Sequence, residues 1–234
     1  MTAKISAAYE GHPRPTLLSD FILGSQDGLV NVLGILLGLV AAGSTLRIID
    51  VAALAALAAE SISMGAVAYT STLARRNLYL SEIERETREM RDVPELEREE
   101  VRVILRKWGY EGEEVEEMVR RIEAKPRAWL DIMMAFELNL AEVGPHQPRN
   151  SMLTVLGATV AGSVVPLIPF LVGISRTAAT VTSVVVSGVM LVAVGVYEAQ
   201  TTAGRWWASA GRMLLIGLGA GFAGFLVGKI VGAF

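Results

Sequence analysis

The chain has 234 residues, of which 52% are hydrophobic, and it contains no cysteine and only two histidines. This composition excludes disulfides and thiolate metal sites, argues against a histidine-rich zinc centre and favours a membrane protein. Charge is unevenly spread, because most of the 24 acids and 21 bases fall between residues 75 and 151. The sequence therefore predicts one polar segment inserted into a hydrophobic protein.

The first twenty residues are polar and contain Pro13 and Pro15. They lack the apolar core and small-residue cleavage site of a secretory signal peptide. We therefore expect residues 1–20 to form an N-terminal cytosolic segment, and the first hydrophobic segment to stay in the membrane.

Five segments are long and apolar enough to span a bilayer, which takes about 20 helical residues. Basic residues are concentrated on one side of these spans, which predicts a cytosolic N-terminus and a cytosolic polar segment. The predicted fold is all-α and polytopic, with transmembrane helices 1 and 2 in 21–74, a helical cytosolic module in 75–151 and transmembrane helices 3 to 5 in 152–234. The spans are predicted at 21–46, 49–73, 152–174, 178–197 and 208–231.

Span one contains "SDFILGSQDGLVNVLGILLG", which combines polar and small residues. The spacing places Asp20, Asp27, Asn31, Gly34 and Gly38 near one face of a helix. Glycines allow a second helix to approach closely, and the polar side chains offer oxygen ligands. The alternative is a packing stripe that carries one boundary acid.

Span two contains "LAALAAESISMGAVAY", an almost wholly apolar stretch around a carboxylate. Glu60 and Met64 are four residues apart and share a helix face. An ionised residue in mid-membrane costs about 2.5–3.5 kcal/mol on insertion scales, so it usually faces a partner or a water-filled path. Carboxylate oxygen beside thioether sulfur suits a transition-metal cation better than Mg²⁺ or Ca²⁺. The alternative is a protonated Glu60 that bonds to a neighbouring helix.

The polar segment is predicted to be helical and to be interrupted at Pro94 and Pro126. Its first helix can continue span two without a break. Its fourth helix, "AWLDIMMAFELNLAEVG", is predicted to end at Gly144. The last span, "GLGAGFAGFLVGKIVG", has glycines spaced by four and predicts a close-packing surface.

Two acidic pairs and one sulfur–carboxylate pair stand out in the polar segment. Each acidic pair has i,i+3 spacing, so its two carboxylates can reach one ion. The acidic helices alone are typical of solvated surfaces, but Met with Glu four residues apart occurs here for a second time. The pairs are Glu86 with Glu89, Glu97 with Glu100, and Met133 with Glu137.

These motifs together resemble the vacuolar iron transporter family of divalent-metal/proton exchangers. The resemblance covers nearly the whole chain and is carried by span one, by "AAESISMGAVAYTST", "ETRE", "EREE" and "WLDIMMAFEL", and by "VPLIPF" in span three. It implies five membrane helices, a homodimer, and an ion path at the dimer interface lined by spans one and two. It also implies that ferrous iron leaves the cytosol in exchange for protons.

Carried over by motif, the resemblance implies two sets of site residues and no enzymatic activity. The expected ligands are Fe²⁺, with Mn²⁺, Zn²⁺ or Co²⁺ as further ions, and protons; no cofactor and no nucleic acid are expected. The short chain predicts a multi-pass protein of a prokaryotic plasma membrane. The path residues are Asp20, Asp27, Asn31, Glu60 and Met64, and the cytosolic metal ligands are Glu86, Glu89, Glu97, Glu100, Met133 and Glu137.

Three other functions remain open at this point. A membrane-anchored metal sensor or chaperone would use the polar segment alone. An exporter that prefers Mn²⁺ would use the same ligands, since ligand type does not separate these ions. A membrane di-iron oxidase is disfavoured because the Glu-x-x-His motif of such sites is absent.

Overall fold

The computed structural model of the protein describes residues 15–202 and 204–233. This part of the chain forms eight α-helices and one π-helical turn and contains no strand, which confirms the all-α prediction. The predicted segment 1–20 lies mostly outside the described residues. The helices are α1 (Pro15–Ala41), α2 (Leu46–Asp92), α3 (Pro94–Lys107), α4 (Glu113–Glu123), α5 (Pro126–Ile132), α6 (Gln147–Leu171), α7 (Arg176–Thr201) and α8 (Trp206–Val231), and the π-helical turn is Met133–Glu137.

Five of these helices are long and apolar enough to cross a membrane: α1, α2, α6, α7 and α8. The five predicted spans are thereby confirmed. Helix α2 has 47 residues and passes from its apolar half into its charged half without a break. Helix α6 begins at Gln147, five residues before the predicted start of span three.

Glycines in a left-handed conformation follow two of the spans. Gly43 has φ +79° and Gly173 has φ +76°, which residues with a Cβ adopt only with strain. After α1, the Ser44 amide donates to the Leu39 carbonyl at 3.1 Å and the Gly43 amide donates to Val40. These bonds cap the open carbonyls at the helix end, so the chain can turn back into α2.

The chain divides into two compact units. The membrane unit comprises residues 1–69 and 149–234, and the polar unit comprises residues 70–148. In the membrane unit, α1 packs against α7 and α8, and one apolar cluster joins residues of α1, α2, α6 and α7. That cluster contains Val32, Leu36, Ile49, Ala53, Leu167, Phe170 and Ala179.

Helix α1 contacts two neighbours through glycines. A Cβ at Gly28 would collide with the Thr159 carbonyl of α6, and a Cβ at Gly24 would lie 2.6 Å from the Val155 carbonyl. Towards its other end, Gly38 faces Gly228 of α8 so closely that a side chain at Gly228 would overlap the Gly38 carbonyl. The close-packing surfaces predicted for spans one and five therefore meet each other.

The polar unit has its own apolar core. Helices α3, α4 and α5 present apolar residues at helical spacing toward it, and Pro94 and Pro126 occupy the first turns of α3 and α5, where the missing N–H costs nothing. Met90, on the charged half of α2, packs against the same core. The buried members are Val101, Leu105, Val115, Val119, Trp129 and Met133.

The prediction of one long fourth helix in the polar segment is wrong. Helix α5 ends at Ile132, the π-helical turn ends at Glu137, and the residues up to Gly144 are not helical. The Leu138 amide donates to the Met133 carbonyl, five residues earlier, and Asn139 adopts a φ of +52°. A left-handed residue cannot continue a right-handed helix, so the chain leaves the helix at this point.

Candidate functional site

Asp27 and Asn31 of α1 meet Glu60 of α2 in the membrane unit. The Asn31 amide nitrogen donates to Asp27 Oδ1 at 3.3 Å and also to Glu60 Oε1. Asp27 and Glu60 are half-buried, and Asn31 is exposed. The sequence placed the two acids on separate spans, and the structure brings them together around one shared donor.

This arrangement concentrates oxygen atoms in an apolar setting. The Asn31 amide nitrogen carries two hydrogens and can therefore donate to both carboxylates at once. Two carboxylates at one spot repel each other unless a proton or a cation lies between them. Asp27 and Glu60 can therefore offer carboxylate oxygens from two spanning helices to one cation.

The other two predicted path residues extend the same line of α1 and α2. Asp20 is half-buried and lies seven residues, about 10 Å along the helix axis, before Asp27. Met64 is half-buried and lies one helical turn after Glu60. The hydrogen bonds that join Asp27, Asn31 and Glu60 include neither residue. Asp20 and Met64 both lie beyond the meeting point, on the side away from the turn between α1 and α2.

An open groove of about 540 Å³ begins beside Asn31. Asn31 is the one side chain on its walls that can form hydrogen bonds, and several of the other residues are small. The groove runs along α1 and α8 and reaches α2 at Ala52. Its walls are formed by Val30, Asn31, Gly34, Ile35, Gly38, Leu39, Ala42, Ala52, Ala220, Gly224, Val227, Gly228 and Val231.

In the polar unit, three predicted ligands form a compact acidic cluster. Glu86, Glu89 and Glu97 each place one carboxylate oxygen within 4.8 Å of the others. Glu86 and Glu89 lie on α2, and Glu97 lies on α3. The chain reverses at Val93 and Pro94, between the two helices, and this brings Glu97 back to the other two acids. Three oxygens at such distances can coordinate one divalent ion.

Two carboxylates of this cluster are buried without full hydrogen bonding. Glu86 and Glu97 are each 1% exposed. Among the described residues, neither Glu86 Oε2 nor Glu97 Oε2 has a hydrogen-bond partner. A buried carboxylate without a partner is costly, so these oxygens create a strong demand for a proton or a cation.

The pKa values of the cluster reflect its crowding and extend it to two more predicted ligands. Burial, followed by repulsion from Glu100 and Glu86, raises the pKa of Glu97 to about 8. Burial and then Glu86 and Glu89 raise the pKa of Glu100, which also shares a hydrogen bond with Glu137. Glu137 is exposed overall, yet desolvation of its carboxylate, with repulsion from Glu100, raises its pKa to about 7. Five acids therefore act on one another here.

Met133 packs in the apolar core of the polar unit. It is fully buried and belongs to the apolar core with Val101 and Leu105, whereas Glu137 at the other end of the π-helical turn interacts with the acids. Val101 follows Glu97 by one helical turn on α3. The predicted Met–Glu pair is therefore divided between the core and the acidic cluster.

Arg85 is a neighbour of the cluster that the sequence analysis missed. Its guanidinium lies 3.2 Å from Glu86 Oε1 and 2.9 Å from Glu82 Oε2, and its Nε lies 3.6 Å from Glu89 Oε2. The signal was present in the sequence, because Glu82 and Glu89 lie three residues before and four residues after Arg85. The sequence analysis interpreted the acidic pairs as metal ligands and did not include the base between them.

Five membrane-spanning helices, with carboxylates meeting inside the membrane unit and clustered in the polar unit, define an integral multi-pass membrane protein with two candidate cation sites. Residues 18–229 match the model of the VIT family. The chain belongs to this family, which confirms the resemblance drawn from its motifs.

Named relatives match over most of the chain. Vacuolar iron transporter 1 of Eucalyptus grandis is 35% identical over 92% of this chain and 86% of its own length. Vacuolar iron transporter 1 of Arabidopsis thaliana is 34% identical over the same shares. Vacuolar iron transporter 1 of Oryza sativa subsp. japonica is 32% identical over 99% of this chain and 94% of its own length.

Proposed function

We propose that this protein transports divalent transition-metal ions, mainly Fe²⁺, out of the cytosol in exchange for protons. The path is lined by α1 and α2 at the interface of a homodimer. The names of the relatives and membership of the VIT family support metal transport over catalysis. The observation that carries the proposal is the Asn31 amide, which joins Asp27 and Glu60 across two spanning helices.

The exchange follows from the chemistry of carboxylates removed from bulk water. A carboxylate in a membrane is stabilised either by a proton or by a cation, so metal and protons compete for Asp27 and Glu60. When the metal ion leaves, protons bind to the carboxylates in its place. A new metal ion can bind only after these protons have left, so the two movements are coupled. Met64 adds a soft sulfur one turn away, which favours Fe²⁺ and related ions over Mg²⁺.

The groove beside Asn31 supports the dimeric path. It is open to the outside of the chain, it is lined by small and apolar residues, and its polar group belongs to the proposed path. Small residues allow helices to approach closely in a membrane. A second copy seated on this groove would enclose Asn31 and its two carboxylates between the protomers.

The polar unit is proposed as the cytosolic collecting site. Glu86, Glu89 and Glu97 provide the compact ligand set, and Glu100 and Glu137 add negative charge next to it. Met133 remains the proposed sixth ligand, because it begins the π-helical turn that ends at Glu137. Fe²⁺ gathered on these carboxylates would then pass to the membrane acids.

The proposed direction of transport rests on the distribution of basic residues, which favours a cytosolic N-terminus and polar unit. The relatives are named for the vacuole. The comparisons therefore do not support the prokaryotic plasma membrane that the sequence analysis predicted, and the proposal is limited to export from the cytosol.

The decisive experiment measures Fe²⁺ uptake and proton release together. Purified protein is placed in vesicles with an inward-acidic pH gradient under anaerobic conditions, with a metal-sensitive and a pH-sensitive dye inside. Asp27→Asn and Glu60→Gln are expected to abolish both signals. Asp50→Asn, which changes another half-buried acid of α2, is the matched control and should retain them.

Each outcome of this experiment is informative. Normal flux in Asp27→Asn and Glu60→Gln would reject the path. Metal flux without proton movement would reject exchange and leave a channel-like function. Fe²⁺ binding without flux in the wild-type protein would favour the membrane-anchored sensor or chaperone.

A further inference from the structure

Arg85 places a positive charge at the edge of the acidic cluster. Its Nη2 donates to Glu86 Oε1 at 3.2 Å, and its Nε lies 3.6 Å from Glu89 Oε2. Glu86 and Glu89 are two of the three residues whose oxygens converge. The guanidinium thus neutralises part of the charge of two carboxylates that a metal ion would need, and it holds Glu86 Oε1 while Glu86 Oε2 has no partner among the described residues.

The three arginines of α3 are engaged away from the cluster. Arg98 bonds to Glu123 at 2.6 Å, Arg102 bonds to Glu116 at 2.9 Å and Arg106 bonds to Glu99 at 2.9 Å. Arg85, by contrast, acts electrostatically on Glu100 and Glu137 as well as on its direct partners. Of these four arginines, Arg85 is therefore the one that acts on acids of the cluster, namely Glu86, Glu89, Glu100 and Glu137.

We propose that the Arg85 guanidinium is a tethered cation that competes with divalent metal for Glu86 and Glu89 and thereby weakens metal binding enough to allow release. This inference rests on the proposed function of the cluster as a collecting site. A metal ion that takes Glu86 Oε1 must break its bond to Arg85, and the remaining positive charge still repels the ion.

Arginine is suited to this role because it remains charged at every physiological pH. A lysine or histidine could lose its proton and stop competing, whereas the guanidinium competes under all conditions. Its side chain is 44% exposed and therefore has room to move. Glu82, which lies outside the converging set, is the second partner on which Arg85 can rest when metal occupies the cluster.

The test is a Mn²⁺ titration of the full-length protein in detergent, followed by calorimetry. Asp27→Asn and Glu60→Gln are present in every sample, so that binding in the membrane unit does not contribute. Arg85→Gln is expected to bind Mn²⁺ about tenfold more tightly, because one repelling charge is lost near the site. Arg85→Lys should stay close to the wild-type affinity, and Arg88→Gln, an exposed arginine of the same helix, should not change it.

A second variant has an effect of opposite sign. Glu82→Gln leaves Arg85 with only the cluster acids as partners, so Mn²⁺ should bind severalfold more weakly. If Glu82 acts only through Arg85, Glu82→Gln should have no effect when Arg85→Gln is also present. This double-mutant cycle separates competition by Arg85 from direct metal ligation by Glu82. Because the conclusion rests on several variants, the misfolding of one of them would not leave the inference untested.

Fe²⁺ uptake kinetics test whether tighter binding in Arg85→Gln also slows release. With the membrane acids restored, Arg85→Gln should lower the half-saturating Fe²⁺ concentration and also lower the maximal uptake rate, since metal leaves the cluster more slowly. A general loss of structure would lower the rate without lowering the half-saturating concentration.

The outcomes distinguish this inference from the proposed function. If wild-type protein binds Mn²⁺ in a manner that Glu86→Gln abolishes, but Arg85→Gln binds it equally or more weakly, the competition is refuted and the collecting site stands. If neither wild type nor Arg85→Gln binds Mn²⁺, the collecting site fails and the role of Arg85 fails with it.

Discussion

The carboxylates of the membrane unit and those of the polar unit are stabilised in different ways. In the membrane unit, one neutral amide, Asn31, donates to both Asp27 and Glu60. In the polar unit, Glu86 and Glu97 are almost fully buried, and each keeps one oxygen without a partner in the described part of the chain. The first arrangement fixes the geometry of two acids, whereas the second leaves a demand that a cation can meet.

This contrast predicts that the membrane acids control the transport step and the polar acids control metal capture. After the loss of the acids themselves, the largest expected effect is that of Asn31→Leu, which removes the donor shared by Asp27 and Glu60. The two carboxylates then repel, and we expect Fe²⁺ uptake into vesicles to fall at least tenfold, or by about 1.4 kcal/mol of activation free energy. Ser63→Ala, an exposed polar residue of α2, is the control. Unchanged uptake in Asn31→Leu would show that the shared amide is dispensable.

A different kinetic signature is expected for the polar unit. Glu86→Gln combined with Glu97→Gln removes two carboxylates from the proposed collecting site but does not change the proposed membrane path. The half-saturating Fe²⁺ concentration should rise roughly fivefold or more while the maximal rate stays within about twofold. The matched control changes Glu113 and Glu114, exposed acids in the first turn of α4, to glutamine. A fall in maximal rate with unchanged half-saturation would contradict the division of roles.

The buried acids also predict how stability depends on pH in the absence of metal. The folded-state pKa of Glu97 is raised to about 8, above its ordinary value of 4.5, so the folded protein binds the proton more tightly. The contribution of Glu97 to stability is therefore fully present at low pH and is lost as the pH rises from about 4.5 toward 8. Glu97→Gln removes this loss, and we expect it to stabilise the metal-free protein by on the order of 2 kcal/mol at pH 8.

Thermal unfolding of the metal-free protein at pH 5 and pH 8 measures this effect. Wild type should unfold at a lower temperature at pH 8 than at pH 5, and Glu97→Gln should reduce the difference. Glu95→Gln, an exposed acid one turn from Glu99 on the same helix, serves for comparison. An equal pH dependence in wild type and Glu97→Gln would show that Glu97 is not the responsible group.

The smallest effect is expected for the charged pairs on the outside of the polar unit. Arg102 bonds to Glu116 and Glu99, and both acids are nearly half exposed. Exposed ion pairs contribute about 0–1 kcal/mol, so Arg102→Gln should lower the melting temperature by at most a few degrees and leave Mn²⁺ affinity unchanged. A marked change in Mn²⁺ affinity would mean that these pairs influence the acidic cluster.

Several features of the fold and site were predictable because they depend on local spacing. The five spans follow from runs of apolar residues, and the separation of Glu86 from Glu97 by Pro94 follows from the interruption of a helix. The face shared by Asp27 and Asn31 follows from the helical period. Such patterns are contained in a window of one or two turns.

Other features depend on contacts between distant segments. That Asn31 would reach Glu60, 29 residues away, required the crossing of α1 and α2. The π-helical turn and the left-handed Asn139 ended the fourth helix of the polar segment early, although the residues there are compatible with an α-helix. Met133 entered the apolar core because its neighbours Val101 and Leu105 create a buried surface that only the folded unit contains.

The glycine contacts of α1 restrict how a transport cycle can proceed. Gly24 and Gly28 lie against the backbone of α6, and Gly34 and Gly38 lie against Gly224 and Gly228 of α8. No side chains separate these backbones, so α1 cannot slide or turn without also moving α6 and α8. Asp27 and Asn31 are thus carried by a helix that is closely packed on two sides, and Asn31 links this helix to Glu60 of α2.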